Sequence, residues 1–425
     1  MTTGAFSLRT ADARHVWHPY TQHGLGDEPI PVRRAEGAYL YGMDDRPILD
    51  AISSWWVTLH GHAQPEIAAA IAEQARTLEQ VIFAGFTHEP AARLAAALME
   101  RVPAGLERVF YSDDGSTAVE VAVKMALQYW HNRGERRRLV VALENAYHGD
   151  TFGAMSVSAR GLFTNPFADQ LFEVIRLPDP VDDDVVGAFD AMLEKRGGEV
   201  AAIIVEPLLL GAGGMRIWTP EKLRALRKRA AAAGVLFIAD EVLTGFGRTG
   251  PLFACEHAGI SPDLLCVSKG ITGGFLPFGA TFATGGVFDA FLNRDRTKTL
   301  FHGHSYCANP IACAAALASL ELLDAESARR RAAIEASHRE AAHRFAAADG
   351  ITNVRVLGTI LAMDLVATER GYLSGIGRTL AAFALQRGVL LRPLGDTVYI
   401  LPPYCTTADD LDRAYGVIAD FVEAQ

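Results

Sequence analysis

The chain reads as an α/β protein built on one large, mostly parallel sheet, with a smaller α+β unit beside it. Short apolar, largely β-branched runs at 109–111, 139–143, 201–205, 235–239, 264–267 and 280–283 alternate with alanine-rich segments of helical period. The runs are apolar at successive positions, so both faces of each strand are buried, as in a sheet covered by helices on two sides. Beyond residue 309 the order changes to helices and strands that no longer alternate singly, which predicts a segregated α+β arrangement.

Each element has its own signal. After the run at 109–111 come Tyr111-Ser112-Asp113-Asp114-Gly115-Ser116 and then Val119, Ala122, Val123, Ala126, Leu127 and Trp130 at intervals of one, three and four: a strand, a turn and a helix. The run at 139–143 leads into Asn145-Ala146-Tyr147-His148-Gly149-Asp150-Thr151, a loop at the same sheet edge. Gly245-Phe246-Gly247-Arg248-Thr249-Gly250 matches the dinucleotide fingerprint in form only. Pro251 stands where a helix would open and no second strand follows at βαβ spacing, so the glycines read as a tight loop. From Asn309, with Pro310 in its first turn, a long helical pattern runs on. Strands follow at 354–356 and 361–366, a helix near 380–386, and a hairpin pairing 389–391 with 398–401.

At 425 residues the chain is long enough for two or three domains and a large core. Its formal charge of −10 argues against a nucleic-acid partner, because phosphate binding needs a basic face and Arg136-Arg137-Arg138 is short and isolated. The five cysteines, Cys255, Cys266, Cys307, Cys313 and Cys405, are odd in number and form no Cys-x-x-Cys pair, which speaks for a reducing compartment and against structural zinc. The first fourteen residues hold no continuous apolar run and the stretch 311–320 is too short to span a bilayer. A cytoplasmic protein with no membrane partner is the expectation.

The chemistry lies at two strand ends. The run at 235–239 ends at Asp240, and the run at 263–267 ends at Ser268-Lys269-Gly270. A lysine and an aspartate delivered to the carboxyl ends of buried strands make the pair that pyridoxal phosphate requires: an amine to hold its aldehyde carbon as a Schiff base, and a carboxylate to keep its pyridine nitrogen protonated. Gly115-Ser116, opening a helix, offers free backbone N–H groups, a hydroxyl and the positive dipole end to a phosphate dianion; the competing reading is an ordinary helix cap. Tyr147 is placed to stack on the ring, and Gly149 leaves room for a close approach. His60-Gly61-His62 and His302-Gly303-His304 lack a companion carboxylate or cysteine at ligand spacing and read as glycine-pinned loops, so no metal site is expected.

Over nearly its whole length the sequence resembles the class III, fold-type-I pyridoxal phosphate aminotransferases. The class-level marks are Ile238-Ala239-Asp240-Glu241-Val242, the 245–250 glycine loop and Ser268-Lys269-Gly270. Further motifs resemble the branch that aminates 8-amino-7-oxononanoate to 7,8-diaminononanoate in biotin biosynthesis: Trp17-His18-Pro19-Tyr20, Ser53-Ser54-Trp55-Trp56, Tyr147-His148-Gly149-Asp150, Gly211-Ala212-Gly213-Gly214-Met215, His302-Gly303-His304-Ser305 and Leu391-Arg392-Pro393. The resemblance implies a seven-stranded sheet in a cofactor-binding domain at 61–325. It also implies an N-terminal segment, 1–60, that joins the small domain and walls the site, and a C-terminal small domain at 326–425.

It implies, residue by residue, that Lys269 is the Schiff-base lysine, that Asp240 partners the pyridine nitrogen, and that Gly115 and Ser116 hold the phosphate. Tyr147 would stack on the ring and Ser305 would reach the phosphate of a neighbouring subunit's cofactor, in a homodimer. Tyr20, counted with the catalytic residues, would line the substrate cavity with Trp55 and Trp56, while Gly303 would contact substrate and Arg392 would bind its carboxylate. A planar guanidinium in an apolar setting suits that last role, since lysine cannot copy its bidentate geometry.

Two positions depart from the pattern: Leu210 stands where many relatives carry glutamine, and His304-Ser305 where many of the biotin branch carry Pro-Thr. His304 and Arg392-Pro393-Leu394-Gly395-Asp396 resemble enzymes that use lysine as amino donor. Tyr20 and the paired tryptophans resemble those that use S-adenosylmethionine, the donor favoured here. An ω-amino acid or acetylornithine-type transaminase would share the cofactor residues, and an inert pyridoxal phosphate-binding homologue is the non-enzyme alternative.

Overall fold

The computed structural model describes residues 7–26 and 28–425. Three short strands near the start, β1 (Val32–Glu36), β2 (Tyr39–Gly42) and β3 (Pro47–Asp50), pair antiparallel in sequence order. The central strands follow: β4 (Leu106–Ser112), β5 (Leu139–Leu143), β6 (Val174–Leu177) and β7 (Val200–Val205). After a two-stranded ribbon, β8 (Leu209–Leu210) with β9 (Arg216–Ile217), come β10 (Leu236–Asp240), β11 (Leu264–Val267) and β12 (Gly279–Thr284).

These seven long strands form one sheet in the order β4-β12-β11-β10-β7-β5-β6. All are parallel except β12, which runs antiparallel to both neighbours. Every residue of β5, β7, β10 and β11 is buried. That is the reason their sequences are unbroken apolar runs. Within this sheet the strand without a signal in the sequence is β6. It lies at the sheet edge, is only partly buried, and carries Arg176 in its middle, so neither run nor alternation marks it.

Helix Gly115–Asn132 follows β4 and buries Ala118, Val119, Ala122, Val123, Ala126 and Trp130 against the sheet. Asp114 caps it: its carboxylate accepts from Thr117 N at 2.7 Å, and its own N–H donates to Thr117 Oγ1 at 3.1 Å. Helices Pro310–Glu321 and Ala325–Ala346 lead out of this unit, the first capped by the Asn309 side chain on Ala312 N.

The last strands are β13 (Ile351–Leu357), β14 (Ile360–Leu365), β15 (Val389–Leu390) and β16 (Thr397–Ile400). The expected hairpin between the runs at 389–391 and 398–401 does not form. β16 instead pairs antiparallel with β14, and β15 pairs in parallel with β3, Val389 opposite Leu49. The cause is the connection between the runs. Pro393 has no N–H to give, Gly395 turns with φ +64°, and what joins the two runs is a bridge from Leu394 to Thr397. The two chain ends are therefore sewn together, and Trp56 Nε1 donates to the Tyr399 hydroxyl at 3.0 Å across 343 positions. No helix among the described residues is long and apolar enough to cross a membrane.

Candidate active site

The carboxyl ends of β4, β5, β7, β10 and β11 all deliver side chains to one cavity of about 580 Å³, the place where open α/β sheets bind ligands. Register does much of this work. Ala239 lies opposite Val205, so the next residues, Asp240 and Glu206, emerge side by side; Asp240 in turn lies opposite Cys266, three residues before Lys269. Lys269 itself takes a left-handed backbone conformation, φ +41°, which is strained for a residue with a side chain. The neighbouring Ser268 hydroxyl anchors that turn on Phe278 O at 2.7 Å, and Gly270 is pressed so close to Leu59 that a Cβ there would lie 2.9 Å from its side chain.

Charge in the floor of the cavity is tightly held. Asp240 is buried; its Oδ2 lies 2.7 Å from His148 Nδ1 and its Oδ1 accepts from Val242 N at 3.1 Å. The far nitrogen of that histidine, Nε2, is buried without a partner. Glu206 is buried too, and its carboxylate accepts from Tyr147 N at 2.8 Å and Gly211 N at 3.0 Å. Burial, reinforced by nearby Asp240 and opposed by His148, pushes its carboxyl up to about 7. Lys269 is displaced downward from the ordinary lysine range by burial, although Asp240 and Glu206 both pull the other way. Its ammonium sits 4.8 Å from the centre of the Trp56 ring.

Aromatic rings make the walls. The Tyr20 hydroxyl reaches Asp150 Oδ2 and lies 3.3 Å from the Tyr147 hydroxyl, and its ring meets Trp55 edge to face with centroids 5.5 Å apart. Burial and the Asp150 contact raise the Tyr20 phenol to about 12, and burial raises that of Tyr147 as well. Arg392 lies over the Trp55 ring, its Cζ 4.1 Å from the ring centre, and lines the same cavity. A guanidinium held on a ring in this way keeps N–H groups for a ligand.

Gly115 and Ser116 also line the cavity. Because the Asp114 cap takes Thr117 N, the first N–H groups of the helix stay available. Space here is already exhausted: a Cβ on Gly115 would lie 2.6 Å from Val242, and one on Gly149, at φ +126°, would lie 2.2 Å from Ser116 Oγ. Backbone therefore comes close to the cavity where an anion would sit.

Of the residues expected from the sequence, the cavity brings together Lys269, Asp240, Tyr20, Tyr147, Trp55, Trp56, Gly115, Ser116 and Arg392. Gly303 and Ser305 do not line it; the Ser305 carbonyl accepts from Gln80 Nε2 at 2.6 Å instead. Leu210 is wholly buried in the apolar core and does not reach the cavity. Among the described residues no group of histidine, cysteine, aspartate and glutamate could hold a metal ion. Glu206 is absent from the residues expected above, although the sequence carries a signal for it: an acid follows the run at 201–205 just as Asp240 follows the run at 235–239.

The fold and this site define an aminotransferase. The family model for aminotransferase class-III matches residues 20–422, and the chain belongs to that family. It is 52% identical over 419 residues to the adenosylmethionine-8-amino-7-oxononanoate aminotransferase of Synechococcus elongatus, with 96% of this chain and 98% of that one covered. The protein of that name from Mycobacterium leprae is 41% identical over 412 residues, covering 94% and 93%. Among solved structures, adenosylmethionine-8-amino-7-oxononanoate aminotransferase from Methanocaldococcus jannaschii superposes with a TM-score of 0.94 at 33% identity over 98% of each chain. An omega transaminase from Pseudomonas jessenii in complex with PMP superposes at 0.93 with 25% identity, covering 99% of this chain and 98% of that one. The architecture is that of the fold-type-I pyridoxal phosphate transferases. The cavity fits their cofactor: a buried amine, a buried carboxylate lining the same space, and a glycine-tight helix start for a phosphate.

Proposed function

We propose that this aminotransferase converts 8-amino-7-oxononanoate to 7,8-diaminononanoate in biotin biosynthesis, with S-adenosylmethionine as amino donor. Pyridoxal 5'-phosphate, when bound, supplies an aldehyde that takes up the amino group and a protonated ring that accepts electrons from the reacting carbon. Lys269 would hold that aldehyde. Burial lowers its affinity for protons, so its free amine could carry a proton between the reacting carbons. Asp240, fixed by His148, would keep a negative charge against the ring nitrogen, while Gly115 and Ser116 would hold the phosphate. Tyr147 would stack on the ring, and Tyr20, Trp55 and Trp56 would form the slot for the substrate.

The observation that carries this reading is Arg392 over the Trp55 ring, lining the same aromatic-walled cavity as Lys269. A keto acid with a long aliphatic chain needs such an apolar slot with a guanidinium for its carboxylate. Residues 61–325 carry the cofactor residues in this scheme, while the segments 1–60 and 326–425 supply the wall. Gly303 and Ser305 serve the cavity of a second copy in a homodimer, and the protein works in the cytoplasm. The test is rescue of a biotin-requiring strain that lacks this transamination step: the parent gene restores growth without biotin or a product-forming bypass, and Lys269→Ala does not. Growth restored equally by both would overturn the reading.

A further inference from the structure

The rings of Phe163 and Tyr372 meet edge to face, with centroids 4.8 Å apart, and beside them a second cavity of about 330 Å³ adjoins the first. Tyr147, Asp150, Phe163 and Tyr372 line both cavities, so the smaller one is a side chamber of the active site. It has a carboxylate that the main cavity does not touch. Asp396, in the turn between β15 and β16, lines the chamber, and its Oδ1 accepts from Gly371 N at 3.0 Å. Its other oxygen makes no hydrogen bond among the described residues. Arg160 is the cation in the chamber wall, and its guanidinium is engaged by the backbone carbonyls of Met155 and Phe172 at 3.1 and 3.3 Å. Arg392, the cation suited to a carboxylate, lines the main cavity and not this one.

The same reacting centre must admit a donor and an acceptor in turn, and a single subsite cannot favour the opposite charges that the two carry. We propose that the side chamber receives the charged part of the amino donor's side chain, and that Asp396 selects a donor whose side chain carries a positive charge. The inference rests on the transamination reading and deepens it. A cation in the chamber meets the free oxygen of Asp396 and the faces of aromatic rings. An acceptor's terminal carboxylate meets repulsion there and is sent to Arg392.

Two donors have this chemistry: S-adenosylmethionine through its sulfonium and lysine through its ε-ammonium. Their neutral counterparts are S-adenosylhomocysteine and norleucine. Parent holoenzyme and Asp396→Asn are each mixed with one donor and no acceptor, and the visible spectrum is followed through a single turnover. Binding of each neutral counterpart is read by competition. Whichever cationic donor converts the parent faster identifies the source. The variant is expected to need about tenfold more of that donor for half-maximal conversion. Its affinity for the matching neutral counterpart, and its return reaction with 8-amino-7-oxononanoate, should stay within about twofold of the parent, a change of a few tenths of a kcal/mol at most. Asparagine keeps the size of the side chain and an acceptor for Gly371 N, so the comparison isolates charge. An unchanged cationic donor, or an equal loss for cationic and neutral compounds, overturns the proposal. A parent that reacts with a donor but never with 8-amino-7-oxononanoate would sink the proposed overall reaction and leave the donor comparison readable.

Discussion

His148 Nδ1 lies 2.7 Å from Asp240 Oδ2, and both side chains are closed to solvent. A carboxylate in such a place is costly unless it is paired, and the imidazole supplies the pair while fixing the direction in which the free side of the carboxylate points. Asp240→Asn keeps the shape of that arrangement and removes its charge. Turnover should fall by at least about a hundredfold while the variant still binds cofactor, because the charge matters to the reacting carbon more than to binding. Unchanged turnover with a deprotonated ring in the absorption spectrum would refute the role.

Lys269→Ala should leave the far-ultraviolet circular dichroism unaltered, because the sheet is held by burial elsewhere. Single-turnover conversion by donor should slow by more than about a thousandfold, since both the covalent hold and the proton carrier are gone. Activity within about tenfold of the parent would refute the assignment.

Arg392→Lys keeps the charge but loses the planar fork and the stack on Trp55. The expected result is a KM for 8-amino-7-oxononanoate raised about tenfold or more, with kcat changed much less, because the lost contact is made equally in ground and transition states. Steady-state kinetics with the acceptor varied decides it.

Light scattering at assay concentration should find a dimer, and Ser305→Ala should weaken cofactor retention without altering the residues of its own cavity. A monomer with full activity would contradict the placement of Ser305 in a second copy's site.

Acid should destabilise the protein through two buried histidines. His338 is wholly buried between the Tyr415 hydroxyl at 2.6 Å and Thr359 O at 3.1 Å, and His60 lies beside Ser319 Oγ at 3.0 Å. Burial lowers both to about 4, against an ordinary value of 6.5. The unfolded chain therefore binds more protons than the native one between these limits. Stability is full above pH 6.5 and falls by about 1.4 kcal/mol per pH unit for each group as pH drops toward 4. Urea denaturation across that range should show the slope, and His338→Gln should reduce it; a flat profile in the parent would rule the mechanism out.

What the sequence disclosed follows from where the fold makes local demands. Lys269 and Asp240 could be read because each ends an apolar run, and a strand buried on both faces leaves no other pattern. β6 could not, because an edge strand half open to water tolerates Arg176 and so carries no run. The pairing of β15 with β3 was hidden for a different reason. Its partner lies near the other end of the chain, and two short apolar runs close in sequence suggest a hairpin unless Pro393 and Gly395 are given their full weight. Tyr372 carries no signal of its own, and Asp396 is marked only by the motif shared with enzymes that use lysine as donor. Only closure in space brings them to the wall of one chamber with Phe163.

The bond from Trp56 to Tyr399 sets a timetable for the ribosome. The floor of the cavity is encoded between Gly115 and Lys269, but a wall that includes Arg392 and Tyr399 cannot be raised until those residues, more than a hundred positions further on, have been synthesised. During translation the nascent chain carries a finished sheet and an unwalled lysine, and β3 waits with a free edge for β15. Pairing over so long a separation forms more slowly than local contacts, so the chain is exposed to misassembly along the β3 edge until residues 389–390 arrive to cover it.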